Sequence, residues 1–442
     1  MKRISKKQKD TIQRISEAGF GHVLDGLGFA RLLSRRTQMR ATETIDERTI
    51  ARLLTELGPG FVELARIIAP RSDIVPTRLQ NMLLNVSYQP DRRRTALRSV
   101  QLKRTFGSAA KEIRHIEAVS EPGTVVAHRY HAILEDGRRA VVLMHDHRAI
   151  GQLDHNAEQI RWMLDVALKH IDRTRAALWE SIWEEFHTRY QSLRTASLAG
   201  SHMQLLREQF SDQDKIEVPK VYWRLTNESI LTYERVMHPS FIDVAEGRHQ
   251  QTIIKKYVGR YLFDAAVRQW GQYGHFLLRP RGSQLCIGQR NKIYYAHPLP
   301  VAQVPSGERT RLALCMYALL KGDAGIAAKA LLSCSYERQQ GDDRLRAGFY
   351  PYKHTPGTAS EIWWNFLEHA WSGNVSVPLS FSMAAESLTY LERAVHGLDE
   401  EIEVHDGLRV AFQKNASELF GVKKQASLKE IASAVLIRSG VS

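Results

Sequence analysis

The stretch of residues 270–299 constrains the fold of this 442-residue chain more than any other. In its first half, residues 270–285, Gly and Pro residues end a helix and punctuate a loop. The β-branched and aromatic run Lys292–Ala296 then predicts a short strand, and His297–Leu299 begins a second loop. The sequence therefore predicts the order helix, loop, strand, loop in this region.

Composition is typical of a globular protein that carries a strong positive charge. Hydrophobic residues make up 43% of the chain and charged residues 25%, so a large core and two or three structural units are expected. Lys and Arg number 62 against 48 Asp and Glu, which leaves a formal net charge of +14. Such a field favours anionic partners: phosphate-bearing ligands, acidic membrane surfaces or nucleic acid.

The cysteines and apolar runs indicate where the protein works. Cys286, Cys315 and Cys334 show no CxxC spacing, so they indicate thiols in a reducing compartment and neither a disulfide framework nor a zinc site. The longest apolar run, Leu312–Leu320, is far shorter than the roughly 20 residues that span a bilayer. The sequence therefore predicts a cytoplasmic basic protein without a transmembrane segment, peripheral at the inner face of the membrane.

Hydrophobic periodicity divides the chain into a helical beginning, a mixed middle and a helical end. Residues 1–105 follow helical spacing. Strand-like runs at Thr124–Leu134 and Arg139–Met144 form a predicted hairpin, and a second pair follows at Val221–Leu225 and Ser229–Glu234. Strands with helices among them, followed by a mostly helical half, predict an α+β fold with two lobes.

Several framework segments, spread over most of the chain, form a consistent set. They are Leu57–Arg66 followed by Arg71–Pro76, Val218–Trp223, Leu231–Glu234, Ser306–Arg311 leading into Leu320–Asp323, and Val377–Leu379. Together they resemble the UbiB/AarF family of atypical kinase-like proteins, which support ubiquinone biosynthesis in bacteria and mitochondria. The resemblance implies a bilobal protein-kinase-like fold. Its expected parts are a helical N-terminal extension (1–105), an N-lobe with inserted helices (106–236), a C-lobe (237–345) and a C-terminal helical part of the C-lobe (346–442).

The same resemblance places the family's phosphoryl-transfer positions on this chain, and the expected residues are missing there. The phosphate-binding Lys becomes Leu143, the Glu and Asp of the ExD motif become Asp154 and Asn156, the catalytic Asp becomes Arg279, the Mg²⁺-binding Asn becomes Gln284, and the metal-loop Asp becomes His297. Arg279 would repel a divalent cation, and Leu143 offers no donor to a phosphate. The resemblance thus implies a pseudokinase with no catalytic residue, no metal and no cofactor.

The altered cleft allows two interpretations. Arg66, Arg279, Arg281 and His297 would form a metal-free anion site, because Arg binds phosphate or carboxylate in a bidentate manner. Alternatively, Glu63 pairs with Arg279 and a salt bridge closes the cleft. We favour the second interpretation, because a buried Arg needs a partner and Glu63 belongs to the motif that faces the cleft in the family.

Two further clusters carry weaker signals. His145, Asp146 and His147 could chelate a metal, but no third and fourth ligand is set by spacing, so a solvated loop is favoured. A basic run with interleaved apolar residues suits an acidic membrane surface or an acidic partner, although an exposed charged face without a function is the commoner outcome. Nucleic acid is less favoured, because no stacking aromatics accompany these residues. The run consists of Arg92, Arg93, Arg94, Arg98, Lys103 and Arg104.

The sequence therefore predicts a non-catalytic UbiB-like scaffold or regulator in ubiquinone or isoprenoid-lipid-linked metabolism, with protein partners that it does not identify. The alternative is an enzyme that reuses the altered kinase-like cleft for a non-kinase reaction on an anionic small molecule. A third hypothesis is nucleotide binding without Mg²⁺. An open pocket between the arginines would favour the enzyme, and a filled cleft would favour the scaffold.

Overall fold

The computed structural model describes residues 5–17, 24, 29, 47–71, 75, 77–86, 88, 104–117, 121–171, 173–249, 253–334, 357–373, 375–423 and 425–438. The chain divides into two compact units. Unit 1 comprises residues 1–137, 141–196 and 227–230, and unit 2 comprises residues 138–140, 197–226 and 231–442. The four-part division suggested by the family resemblance stays a prediction.

The helices of unit 1 follow from local signals in the sequence. Ser5 caps the first helix by a reciprocal exchange with Gln8: the Ser5 hydroxyl accepts from the Gln8 N–H, and the Ser5 N–H donates to the Gln8 side chain. Gly58, with φ of 114°, separates the second and third helices, and Pro59 begins the third. The helices are α1 (Lys6–Ile15), α2 (Glu47–Leu57), α3 (Pro59–Ile68), α4 (Thr77–Asn85), α5 (His147–Ala167) and α6 (Arg173–Arg194).

A helical core joins the N-terminal helices to α5 and α6. Leu53, Leu57 and Phe61 of α2 and α3 are buried in one cluster with Ile160 of α5 and Phe186 of α6. These residues recur at helical spacing, so each helix presents one apolar face to the others. Helices α2 and α3 are therefore an integral part of this unit.

The sheet of unit 1 contains the strands β1 (Ile113–Ile116), β2 (Glu121–Thr124), β3 (Ala127–Leu134), β4 (Arg139–His145) and β6 (Ile230–Glu234). Of β4 only residues 141–145 belong to unit 1, and of β6 only Ile230. Strands β1 and β2 each pair antiparallel with β3. The strand order is β1-β3-β4-β6, with β2 also paired to β3. Gly137, with φ of 82°, makes the tight turn after β3, and its N–H donates to the Leu134 carbonyl.

Two strand predictions need correction. The run Thr124–Leu134 is not one strand: it turns at residues 125–126, where the Val126 N–H donates to the Thr124 hydroxyl at 3.2 Å, and Val125 and Val126 are buried core residues. The run Val221–Leu225 forms one isolated bridge at Val221 and then a 3₁₀ turn over Trp223–Leu225. In the first run Val125 and Val126 are buried in the turn, and in the second Val221 and Leu225 are buried while Trp223 is 43% exposed, so an apolar or aromatic residue alone does not indicate strand pairing.

Unit 2 is mostly helical around two nested strand pairs. Strands β7 (His275–Leu277) and β10 (Val301–Gln303) pair antiparallel, as do β8 (Leu285–Ile287) and β9 (Ile293–Tyr295), and β5 (Ile216–Glu217) runs parallel to β9. Helix α10 (Ser306–Leu320) lies in the core of this unit, because its residues 312–320 are all buried. The helices are α7 (Ala196–Gln209), α8 (Phe241–Ala245), α9 (Lys255–Arg268), α10 (Ser306–Leu320), α11 (Ala324–Leu332), α12 (Ala359–Ser372), α13 (Leu379–Leu398), α14 (Val404–Lys414), α15 (Ala416–Phe420) and α16 (Leu428–Arg438).

The apolar run at residues 312–320 thus lies in the core helix α10 of a folded unit. Within the part of the chain that the structure describes, no helix combines the length and apolar character needed to cross a bilayer.

Candidate functional site

The two loops predicted from residues 270–299 lie side by side in unit 2. The first loop, residues 278–284, connects β7 to β8, and the second loop, residues 296–300, connects β9 to β10. At one end the Leu278 N–H donates to the Pro300 carbonyl at 2.9 Å, and at the other the Ala296 N–H donates to the Gln284 carbonyl at 2.9 Å. The nested strand pairs therefore hold Arg279, Arg281, Gln284 and His297 on two adjoining loops.

Arg279 of the first loop is buried in an ion pair. Its Nε donates to Glu386 Oε1 at 2.8 Å, and the two residues are 4% and 1% exposed. Glu386 lies on α13, 107 residues along the chain. Charges this far from water need a partner of opposite sign, so Glu386 is what allows a guanidinium to be buried here.

Tyr390, one turn after Glu386 on α13, lies against both arginines of the first loop. The guanidinium carbons of Arg279 and Arg281 are 5.8 Å and 5.9 Å from the centre of its ring. These distances are within the range of cation–π attraction. Among the residues that the structure describes, none forms a hydrogen bond with the buried Tyr390 hydroxyl. The first loop thus places two cations next to a phenol group of α13.

His297 of the second loop is bound to β6. Its Nδ1 is hydrogen-bonded to the Tyr233 hydroxyl at 3.0 Å, and the two rings meet edge to face with 6.3 Å between their centres. Tyr233 is 1% exposed, so it is a fixed partner. Gln284, at the other end of the first loop, is half-buried, and its backbone carbonyl makes the bond to Ala296.

Arg66 and Glu63 form their own ion pair in unit 1. On α3, Arg66 Nη1 donates to Glu63 Oε1 at 2.5 Å, and Arg66 Nη2 donates to the Val86 carbonyl at 2.7 Å. Both side chains are buried. Each member of the predicted Glu63–Arg279 pair therefore has a charged partner within its own unit, and their mutual contact stays a prediction.

Leu143 of β4 is an apolar core residue. It is 5% exposed, and its Cδ1 would lie 2.4 Å from a Cβ built on Gly123 of β2. Real Cβ atoms do not approach another carbon so closely, so Leu143 packs against a position that only glycine can fill without a shift. The side chain occupies the space next to the β2 backbone.

Asn156 of α5 fastens the junction between α2 and α3. Its Nδ2 donates to the Leu57 carbonyl at 2.9 Å, and its Oδ1 accepts from the Gly60 N–H at 3.0 Å. A Cβ on Gly60 would lie 2.5 Å from Asn156 Cβ, so the helices approach closely here. Asn156 is 1% exposed and uses both ends of its amide as a structural clamp.

Asp154, two residues earlier on α5, is engaged by α6. Its Oδ1 accepts from the Tyr190 hydroxyl at 2.8 Å and from Arg194 Nε at 3.0 Å. The carboxylate raises the pKa of Tyr190, although burial of Tyr190 contributes more to that increase. Both positions assigned to the ExD motif therefore make contacts that hold helices together.

The histidines considered for a metal lie in different surroundings. His145 is buried at the end of β4, Asp146 caps the N-terminus of α5, and His147 is exposed. Burial, with a smaller contribution from His147, lowers the pKa of His145 from its ordinary 6.5 to about 4.

This lowered pKa implies a stability that depends on pH. Between pH 6.5 and 4 the unfolded chain binds a proton at His145 that the folded chain does not, so stability falls as pH falls through this window. At pH 5 the loss from this one group is about 2 kcal/mol relative to pH above 6.5. Urea unfolding at pH 7, 6 and 5 should show a shallower pH dependence for His145→Gln than for the wild type. Identical pH dependence in the two proteins would contradict the assignment.

Most of the predicted basic surface lies outside the described residues. Only Arg104, which is exposed, belongs to the described part of the chain. The other five residues, which the structure does not describe, are Arg92, Arg93, Arg94, Arg98 and Lys103.

Three residues that complete this site were not identified as site residues from the sequence: Glu386, Tyr390 and Tyr233. The signal for Glu386 was an acidic residue within a run of small and apolar residues, Ala384–Leu388. A buried carboxylate on an apolar helix face indicates a buried cationic partner, but it does not say which one.

Residues 123–331 match the family model of the ABC1 atypical kinase-like domain. Over this part the chain is similar to ABC1 atypical kinase-like domains. The matched range contains Leu143, both ExD positions and both loops, and the resemblance to UbiB/AarF proteins is confirmed.

Curated relatives are distant. The uncharacterized Synechocystis protein slr0889 is 22% identical over 78% of this chain and 89% of its own length. A probable protein kinase UbiB of Xylella fastidiosa is 24% identical over 50% of this chain and 40% of its own length. The chloroplastic Arabidopsis thaliana protein ACTIVITY OF BC1 COMPLEX KINASE 8 is 22% identical over 64% and 39%. The chain thus spans nearly all of the first relative and less than half of the two named kinases.

A solved structure shares the fold. The Mycobacterium tuberculosis protein Rv3197, solved as a complex with erythromycin, aligns with 83% of this chain and 95% of its own, with a TM-score of 0.51 at 13% identity. At this identity the likeness concerns the fold alone. The predicted α+β, kinase-like fold is confirmed.

Proposed function

We propose that this protein is a catalytically inactive member of the UbiB/ABC1 proteins that acts as a scaffold or regulator. The observation that carries the proposal is the buried ion pair of Arg279 with Glu386. Arg279 occupies the position that the resemblance assigns to the catalytic Asp. The Arg279 guanidinium is held there by a 2.8 Å hydrogen bond to Glu386. Its positive charge disfavours binding of a divalent metal, and it cannot accept a proton from a nucleophile.

The other assigned positions support the same proposal. Phosphoryl transfer depends on placing positive charge around the phosphates and oxygen ligands around Mg²⁺. Leu143 is buried against Gly123, Asn156 clamps the α2–α3 junction, and Asp154 is bonded to α6. These side chains do not fit Mg²⁺–ATP.

The metabolic setting belongs to the same proposal. Relatives named UbiB and the family resemblance support a role in ubiquinone or other isoprenoid-lipid-linked metabolism. The net charge of +14 supports peripheral contact with an acidic membrane from the cytoplasmic side. In this setting a kinase-like protein without catalytic residues would organise protein partners.

Thermal unfolding with nucleotides tests the loss of catalysis. A ligand at a hundred times its Kd stabilises a protein by about 2.7 kcal/mol, which moves the Tm of a chain of this size measurably. We expect no shift with ATP or ADP, with or without Mg²⁺. An active kinase measured under the same conditions is the positive control. A Mg²⁺-dependent shift with ATP would contradict the proposal.

One observation favours the alternative enzyme. The Tyr390 hydroxyl is buried beside the Arg279 and Arg281 guanidiniums, and it has no hydrogen-bond partner among the described residues. A carboxylate or phosphate oxygen would accept from it. If the enzyme alternative holds, an anionic metabolite raises the Tm of the wild type and not that of Tyr390→Phe. If the scaffold proposal holds, the two proteins respond alike.

A further inference from the structure

A rigid aromatic cluster supports one surface pocket of unit 2, far along the chain from both loops. Tyr317 of α10 is 1% exposed and stacks on Phe412 with 5.5 Å between ring centres. Tyr317 also stacks on Phe420, with 6.4 Å between ring centres, and its hydroxyl donates to the Gln413 side chain. Two ring contacts and one hydrogen bond leave Tyr317 and its partner Gln413 little freedom, so Gln413, which lines the pocket, is preorganised.

Three cations line the pocket next to this cluster. Lys321, at the end of α10, lies with its Nζ 5.7 Å from the centre of the Tyr317 ring, so its side chain turns back over the last turn of α10. Arg409 and Lys414 extend from α14. With Val410 and Gln413 they line an open pocket of about 410 Å³. A pocket of this volume lies in the range of small-molecule sites and is larger than one phosphate group needs.

The charge around the pocket is only partly balanced. Arg409 pairs with Asp406 at 3.1 Å, and Lys414 pairs with Asp264 at 3.0 Å. The Arg409 and Lys414 side chains are 41% and 62% exposed, so a ligand can reach both, and the pair of Arg409 with the exposed Asp406 is weak enough to be exchanged for a ligand. Lys321 has no carboxylate within ion-pair distance among the residues that the structure describes. Val410 adds an apolar surface, since it is 55% exposed.

We propose that this pocket binds a phosphate group attached to an apolar moiety. Lys321, Arg409 and Lys414 supply the positive charge that a phosphate requires, and Val410 contacts the apolar part. The net charge of +14 attracts anions to the protein as a whole, and the pocket is where an attracted anion would bind. The phosphate comes either from a lipid headgroup or from a free phosphorylated molecule. This site does not depend on whether the ABC1 domain is active.

Binding measurements with two variants of equal charge test the proposal. The site variant is Lys321→Gln with Arg409→Gln, and the control is Lys256→Gln with Arg260→Gln, which removes two exposed cations from α9. One arm measures sedimentation with phosphatidylglycerol vesicles and with phosphatidylcholine vesicles. The other arm measures calorimetric titration with inorganic phosphate and with glycerol 3-phosphate. We expect the site variant to bind at least tenfold more weakly in one arm or both, and the control to bind within twofold of the wild type.

The two arms identify the source of the phosphate. Loss confined to phosphatidylglycerol vesicles assigns the pocket to a lipid headgroup, and loss that includes the soluble phosphates assigns it to the phosphate group itself. Equal weakening in the site variant and the control would show unspecific attraction and overturn the proposal. Wild-type binding by the site variant in both arms would also overturn it. Because the altered residues are exposed, we expect both variants to keep the wild-type Tm.

Discussion

Replacing Glu386 with Gln is expected to lower the free energy of unfolding by about 3–5 kcal/mol. The change keeps the shape of the side chain and removes its charge. It leaves the Arg279 guanidinium, 4% exposed, without the carboxylate that now lies 2.8 Å from its Nε. Urea unfolding at pH 7.5 measures the difference directly.

The double variant Arg279→Met with Glu386→Leu distinguishes the effect of losing the whole ion pair from the effect of losing one of its charges. Removing both charges together leaves no buried ion without a partner, so this variant should be within about 1 kcal/mol of the wild type. Asp406→Asn breaks the exposed pair with Arg409 and should cost less than about 1 kcal/mol. A Glu386→Gln variant as stable as the wild type would show that Glu386 does not neutralise Arg279. Nucleotide binding by the double variant would show that the ion pair alone prevents nucleotide binding in the wild type.

Replacing Asn156 with Asp is expected to cost about 3 kcal/mol or more at pH 7.5. The amide now donates to the Leu57 carbonyl at 2.9 Å and accepts from the Gly60 N–H at 3.0 Å. A carboxylate keeps only the second bond, faces the Leu57 carbonyl with a negative oxygen, and carries a charge at a position that is 1% exposed. The restored acid of the ExD motif would therefore weaken the fold.

Two comparisons make this result specific to charge. Asn156→Leu has a similar size, loses both hydrogen bonds and adds no charge, so it should cost less than Asn156→Asp at pH 7.5. Protonation gives the new carboxyl a donor toward Leu57, so the deficit of Asn156→Asp relative to Asn156→Leu should shrink as pH falls to 4. A deficit that does not change with pH would mean that lost packing, and not charge, explains the effect.

The strongest sequence predictions concerned local order. Gly and Pro positions and β-branched runs are read from a few neighbouring residues, and at residues 270–299 they predicted two loops with one strand, β9, between them. They missed the three-residue strands β7 and β8, which flank the first loop. Where composition was ambiguous the prediction failed, as for Val221–Leu225. Turns and short strands accommodate the same apolar and aromatic residues, so neighbours alone do not distinguish them.

The sequence by itself determined the kinase-like framework and the absence of the expected residues at the positions that the resemblance assigns. Helix periodicity, turn residues and motif spacing are local or regularly repeated patterns, so the amino-acid sequence contains them completely. Only the tertiary structure decided which partners the replacing residues have: Glu386 for Arg279, 107 residues away, and the Leu57–Gly60 junction for Asn156, 99 and 96 residues away. A charge in the sequence indicates that a partner is needed, but several carboxylates satisfy that need equally. Packing selects one of them, because only one is brought within hydrogen-bond distance as the helices bury their apolar faces.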